Sequence, residues 1–134
     1  MNYSYGIITW EGCGNMNKQA HIAVRVNPNL KRRCEEIFYR LGMNTNAGIK
    51  LFLSQMTLYQ CLPFELTLDE HNQDMFSDEK TVSLVFNVDA DIKRKCSELA
   101  AAAGLNLSLM IKLYMVQVVD KNGIPFPVIS NERV

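Results

Sequence analysis

The amino-acid sequence predicts a mainly α-helical fold with a short two-stranded antiparallel ribbon, in which two halves of one chain pair as an intramolecular pseudo-dimer. Three observations carry this expectation. A strand–helix–helix pattern is written twice, over residues 18–66 and 80–128, and the copies align without a gap, Val88 standing 62 positions after Val26. Each copy opens on period-two alternation and continues with apolar stripes at helical spacing. A lone strand with two helices leaves its backbone unpaired and its apolar faces bare, so each copy needs the other.

The strand comes first. Ile22, Val24 and Val26 fall on one face and His21, Ala23 and Arg25 on the other, the signature of a half-buried strand. In the second copy Leu84, Phe86 and Val88 take the inner face and Ser83, Val85 and Asn87 the outer one. Pairing the strands about a local dyad at Ala23/Val85 places Arg25 opposite Ser83 and His21 opposite Asn87. The 13 residues from Thr67 to Glu79 can reach about 45 Å, enough to bring the second copy around.

The first helix of each copy follows at once. Asn27 is a natural N-cap with Pro28 at the first helical position, where the missing N–H costs nothing. Asp89 and Ala90 take those places in the second copy. Leu30, Cys34, Ile37, Phe38 and Leu41 form the buried stripe, repeated by Ile92, Cys96, Leu99, Ala100 and Ala103. Gly42 and Gly104 come next, at the position where a left-handed cap favours glycine.

A second helix is expected to begin at Asn46 and at Ser108, both good caps. Ile49, Phe52, Leu53 and Met56 make its inner face in the first copy, with Leu51 to the side. The second-copy helix, LMIKLYMVQVV, is apolar nearly all round and should be central. Each ends before a Pro-Phe pair, Pro63-Phe64 and Pro125-Phe126, because proline cannot continue it.

The organisation is therefore an N-terminal extension (1–17), repeat 1 (18–66), an acidic linker (67–79), repeat 2 (80–128) and a short tail (129–134). The extension has no counterpart in the repeat, and its Tyr3, Tyr5 and Trp10 suit an extra strand or an arm. The zero net charge conceals a division. Repeat 1 carries seven Lys/Arg against three acids, repeat 2 six against four, and the linker five acids with no base. Basic repeats joined by an acidic linker permit a nucleic-acid partner. No run of about 18 apolar residues spans a membrane, no secretory signal is visible, and a cytoplasmic location is expected.

Cys13, Cys34, Cys61 and Cys96 show no metal-type spacing, and Cys34 and Cys96 fall on the apolar stripes, so buried free thiols are expected. A zinc site drawing on them with His21 or His71 is rejected, and no cofactor is expected. No paired carboxylates, base-activated nucleophile or glycine-rich phosphate loop is present, so an enzyme is not expected.

The segment VRVNPNLKRRCEEIFYRLGMNTNAGIKLFL followed by LPFEL, and its repeat FNVDADIKRKCSELAAAAGLNLSLMIKLYM followed by IPFPV, resemble ribbon-helix-helix domains, in detail the RelB/DinJ family of antitoxins and repressors. The resemblance spans both repeats. It implies a tandem ribbon-helix-helix protein whose ribbon enters the DNA major groove, with a double-stranded DNA operator and a cognate toxin protein as partners.

On matching positions, it implies base contacts from His21, Ala23, Arg25, Ser83, Val85 and Asn87, and backbone contacts from Thr45, Asn46, Leu107 and Ser108. Arg25 suits guanine O6/N7 and Asn87 adenine, while Ala23 and Val85 offer only apolar contact. Free N–H groups at a helix start attract phosphate. Because Asn87 replaces Arg25 in the second copy, the operator should be asymmetric.

Family members continue after the Pro-Phe pair into a long toxin-wrapping segment. Here residues 128–134 remain, so direct toxin neutralisation is not the leading expectation.

Blander roles are expected for several residues. His21 suits a partly covered edge position. The runs 31–33 and 93–95 suit a solvated helix face, and Glu35, Glu36 and Glu98 are surface helix charges. The alternative function is a protein-interaction module, a degenerate antitoxin holding a toxin or other partner through Trp10, Phe64 or Phe126. Pairing between two chains, by domain swapping or further dimerisation, would use the same contacts.

Overall fold

In the computed structural model, residues 18–67 and 77–130 are described. The expectations for the N-terminal extension with Trp10, for His71 and the middle of the linker, and for residues 131–134 lie outside them.

Alternating side chains decide how the strands sit. β1 (Gln19–Val26) and β2 (Val82–Asp89) pair antiparallel, from Gln19 opposite Asp89 to Val26 opposite Val82. The ladder centres on Ala23 opposite Val85, with Arg25 facing Ser83 and His21 facing Asn87, the register expected from the repeat. Ile22, Val24, Val26, Leu84, Phe86 and Val88 are all buried. The strands are longer than the alternation alone marks, because Gln19 and Asp89 still have partners.

Each strand runs straight into a helix, α1 (Pro28–Arg40) or α3 (Ala90–Ala102). The Asn27 side chain accepts from the Asn29 N–H, and Asp89 accepts from Asp91 and Ile92. Gly42 and Gly104 end these helices at φ +85° and +81°, where a Cβ would be strained. Leu30, Cys34, Ile37 and Phe38 are buried as expected, but Leu41 is 49% exposed. Leu41 is the C-cap, so the chain is already turning out of the helix there. In α3 the stripe is shallower. Only Cys96 and Ala100 are fully covered, Ile92 and Leu99 are half-buried, and Ala103 is exposed.

The second helices are α2 (Thr45–Tyr59) and α4 (Leu107–Lys121). They start earlier than expected. Asn44 and Asn106 are the caps, each side-chain oxygen accepting from an N–H three residues on, Ala47 and Leu109. Asn46 and Ser108 therefore lie inside the first turn. Asn44 and Asn106, two residues after each glycine, are the oxygens that reach a free N–H. α2 buries Ile49, Phe52, Leu53 and Met56, and α4 buries eight residues, including the unbroken run Tyr114–Val119. Left-handed Gln60 and Asn122 end both helices three residues before the prolines, so proline follows the stop instead of causing it.

α1 packs chiefly against α4, and α3 against α2, so each half is covered by the other. Contacts recur at the repeat offset. The Cys34 thiol donates to the Met115 carbonyl (3.2 Å), and the Cys96 thiol to Leu53 (3.3 Å). The Gln55 side-chain amide holds both backbone groups of Ile129, and Gln117 holds those of Thr67, all four bonds between 2.7 and 3.2 Å. Phe64 and Phe126 fold back over Phe52 and Tyr114, closing an aromatic cluster between the two second helices. The result is four helices around one core with a two-stranded antiparallel sheet on one side.

Candidate nucleic-acid interface

The outward face of the ribbon is bounded by strand geometry. With one face buried, the alternate residues must point away from the core. His21, Ala23, Arg25, Ser83, Val85 and Asn87 are all exposed and form one narrow band. His21 was expected to be partly covered but is exposed, and its carbonyl accepts from Lys93 Nζ at 3.0 Å. Val85, at the centre of the band, is 60% exposed.

Arg25 is already oriented by its neighbours. Its Nε donates to Thr81 Oγ1 (2.9 Å), one terminal nitrogen to Ser83 Oγ (3.2 Å), and the other to the Thr81 carbonyl (3.4 Å). A guanidinium has five N–H donors, so these three bonds leave donors for a ligand while holding the fork over the ribbon. Asn87, at the equivalent position of β2, is exposed.

The start of α4 lies beside the ribbon at Ser108, and α2 reaches it at Lys50. Thr45 and Leu107 are half-buried, and Asn46 and Ser108 exposed. Asn44 and Asn106 satisfy the N–H groups of Ala47 and Leu109, and helix geometry leaves the first two N–H groups of each helix without an intrahelical partner. An open depression of about 440 Å³ joins Ala23 and Arg25 to Ser108 and Lys112, and a smaller one of about 190 Å³ joins Asn87 to Lys50. Each end of the band thus draws its strand residue from one copy and its helix from the other.

Lys50 and Lys112 were not singled out from the sequence. They recur at the repeat offset one turn into the second helix, and that recurrence was the available signal. Thr81, just outside β2, was also missed. It lies beyond the alternating segment, and only the fold brings it to Arg25.

The basic runs behave largely as a solvated face. Lys31 pairs with Glu35 (2.8 Å), Arg32 with Glu36 (3.9 Å), and Arg94 with Asp91 and Glu98 (3.5 and 3.4 Å). Such exposed pairs add about 0.3–0.5 kcal/mol each. Lys93 departs from this by reaching the ribbon.

A further depression, about 600 Å³, lies between Glu35, Glu36 and Tyr39 of α1 and Met43–Asn46, so Thr45 and Asn46 face it and not the depression beside Asn87. It is open, and both its carboxylates are paired. Among the described residues no cluster of His, Cys, Asp and Glu gathers to hold a metal. Cys34 and Cys96 are inert. Burial pushes the Cys34 thiol far above its ordinary range, and Cys96 up to about 12.

No protein-family model, curated protein or solved structure matches the chain. Its chemistry is carried by the residues above. Among the described residues no single helix is long and apolar enough to cross a membrane; α3 and α4 together have the length and composition, but they meet at 86° and α4 is mostly buried.

Proposed function

We propose that the chain is a tandem ribbon-helix-helix protein of the RelB/DinJ type, an intramolecular pseudo-dimer that reads DNA through the outer face of its ribbon. On this reading it is a sequence-specific regulator of the antitoxin-repressor kind and not an enzyme. The observation that carries it is the register centred on Ala23 and Val85, which leaves six side chains exposed in one band, with the start of α4 beside one end and Lys50 of α2 beside the other. A two-stranded ribbon fits the major groove, where every base pair displays a distinct donor and acceptor pattern. Arg25 is the guanine reader and Asn87 the adenine reader. The N–H groups of Thr45, Asn46, Leu107 and Ser108 receive phosphate, with Lys50 and Lys112 adding charge. Unlike residues at the two ends make the operator asymmetric, and autorepression of a toxin–antitoxin operon is the natural setting.

Two anchors of the protein-interaction alternative sit in the aromatic cluster. Phe126 is 6% exposed and Phe64 half-buried, both spent on the aromatic cluster. Trp10 lies outside the described residues.

The test is binding to a duplex taken from upstream of the chain's own gene, against an unrelated duplex, over a range of salt. The expected result is preference for the upstream duplex and a linear fall of log K with log salt. Arg25→Ala should cost about 1–3 kcal/mol of that preference. Equal, salt-insensitive binding to both duplexes would overturn the proposal.

A further inference from the structure

A carboxylate lines the depression at each end of the ribbon, but only one is paired with the lysine there: Asp89, at the Asn87 end, caps α3 through the Asp91 and Ile92 N–H groups. Beside Asn87, Lys50 is exposed and has no ion-pair partner among the described residues. Beside Arg25, the equivalent Lys112 is bound to Asp78, Nζ to Oδ1 at 3.0 Å. The lysine side chain is 18% exposed there and the carboxylate 71%. Asp78 shares the open depression with Arg25, Thr81 and Ser108.

Its segment is pinned on both sides. Asn27 Nδ2 donates to the Ser77 carbonyl (3.0 Å), and Arg25 holds Thr81 through two bonds. Asp78 is thus fastened at the place where the start of α4 and the ribbon converge, the place where a duplex backbone would pass.

We propose that Asp78 is an internal substitute for a DNA phosphate, occupying Lys112 until it is displaced, so that the Asn87–Lys50 end engages DNA first. This rests on the DNA-binding reading and adds to it an order of engagement. A carboxylate and a phosphodiester compete for the same ammonium, and the approaching phosphate also meets a like charge. Because the carboxylate is largely solvated, the pair is weak. It sets a threshold on binding instead of locking the face, and it makes the Arg25 end the more demanding of ionic conditions.

The experiment compares the full chain with Asp78→Asn and with Glu65→Gln. The control removes the same charge at an exposed site after α2, two residues from Thr67, which binds the C-terminal half of α4. Binding is followed by fluorescence anisotropy against a short duplex of mixed sequence and against the upstream duplex, over a range of salt. Asp78→Asn should bind both roughly three- to tenfold more tightly at low salt. Its plot of log K against log salt should be steeper by about one, with Glu65→Gln changing neither to that extent. Adding Lys112→Gln to Asp78→Asn should abolish the gain.

If the parent chain binds DNA and Asp78→Asn matches it or matches Glu65→Gln, the proposal is overturned while the DNA reading stands. If neither the parent nor Asp78→Asn binds either duplex, the DNA reading falls and this proposal with it.

Discussion

Phe52 and Tyr114 stack face to face, ring centroids 4.3 Å apart and planes 7° from parallel, at positions separated by the repeat offset. The centre of the core is therefore a residue meeting its own duplicate. The two are not identical. Only the Tyr114 hydroxyl has a polar partner to find, and it donates to the Gly48 carbonyl at 2.9 Å. Tyr114→Phe should keep the stack and lose that bond, at about 1 kcal/mol. Tyr114→Ala should cost about 3–5 kcal/mol by opening a cavity. Urea denaturation of the two variants checks the ratio.

Gly48 and Phe38 answer Met110 and Ala100 with the sizes exchanged. A Cβ built on Gly48 would come within 2.5 Å of the Phe38 ring. Gly48→Ala alone should therefore destabilise by about 1–3 kcal/mol through overpacking. Pairing Gly48→Met with Phe38→Ala reproduces the arrangement of the other copy, and a double-mutant cycle should give a favourable coupling of about 1 kcal/mol or more. Strict additivity would show that the two sites do not share space.

The clamps of Gln55 and Gln117 tie down the chain after each Pro-Phe pair. Gln117→Ala removes both bonds to the Thr67 backbone, along with one to its hydroxyl, and should cost about 1–3 kcal/mol. Amide exchange at Thr67 should accelerate well beyond that of the α4 core. Gln55→Ala should act in the same way on Ile129.

Alkaline pH should destabilise the protein through its buried acids. Burial raises the folded-state pKa of Cys34, Cys96 and Tyr114. An acid with a raised folded pKa keeps its full stability below the unfolded value and loses it as pH climbs through the interval above. Stability should thus fall from about pH 9 upward, by up to about 1.4 kcal/mol per pH unit for each buried thiol. The Cys34→Ser, Cys96→Ser variant retains a donor that does not ionise. Its melting temperature should fall less between pH 8 and about pH 10, before Tyr114 contributes.

Under the proposed function, Lys50 and Lys112 should differ in their salt signatures. Lys50→Ala should lower the slope of log K against log salt by about one. Lys112→Ala should lower it by less, because Asp78 already neutralises that ammonium. Equal changes at the two lysines would contradict the asymmetry.

The strand faces, the Asn27 and Asp89 caps and the Gly42 and Gly104 turns were legible because they depend on residues close together in the chain. The starts of the second helices were misplaced by two residues, since Asn44, Asn46, Asn106 and Ser108 all carry cap-forming side chains, and the choice rests on which oxygen meets a free N–H. The exposure of Leu41 and Ala103 was hidden for a related reason. Periodicity assigns a face but cannot say where the neighbouring helix ends.

The repeat and its local chemistry determined that the two halves would meet strand to strand, and which six residues would remain outside. Packing across the halves decided the rest. It set Phe52 on Tyr114, put the Gln117 amide on Thr67, held Arg25 to Thr81 and placed Asp78 against Lys112. Those contacts join residues 50 or more positions apart in three of these cases, and Asp78 reaches Lys112 from the linker, 34 positions away. Hydrophobic pattern specifies a face, but a hydrogen bond or ion pair requires a distance, and distances between remote segments exist only once the core has closed.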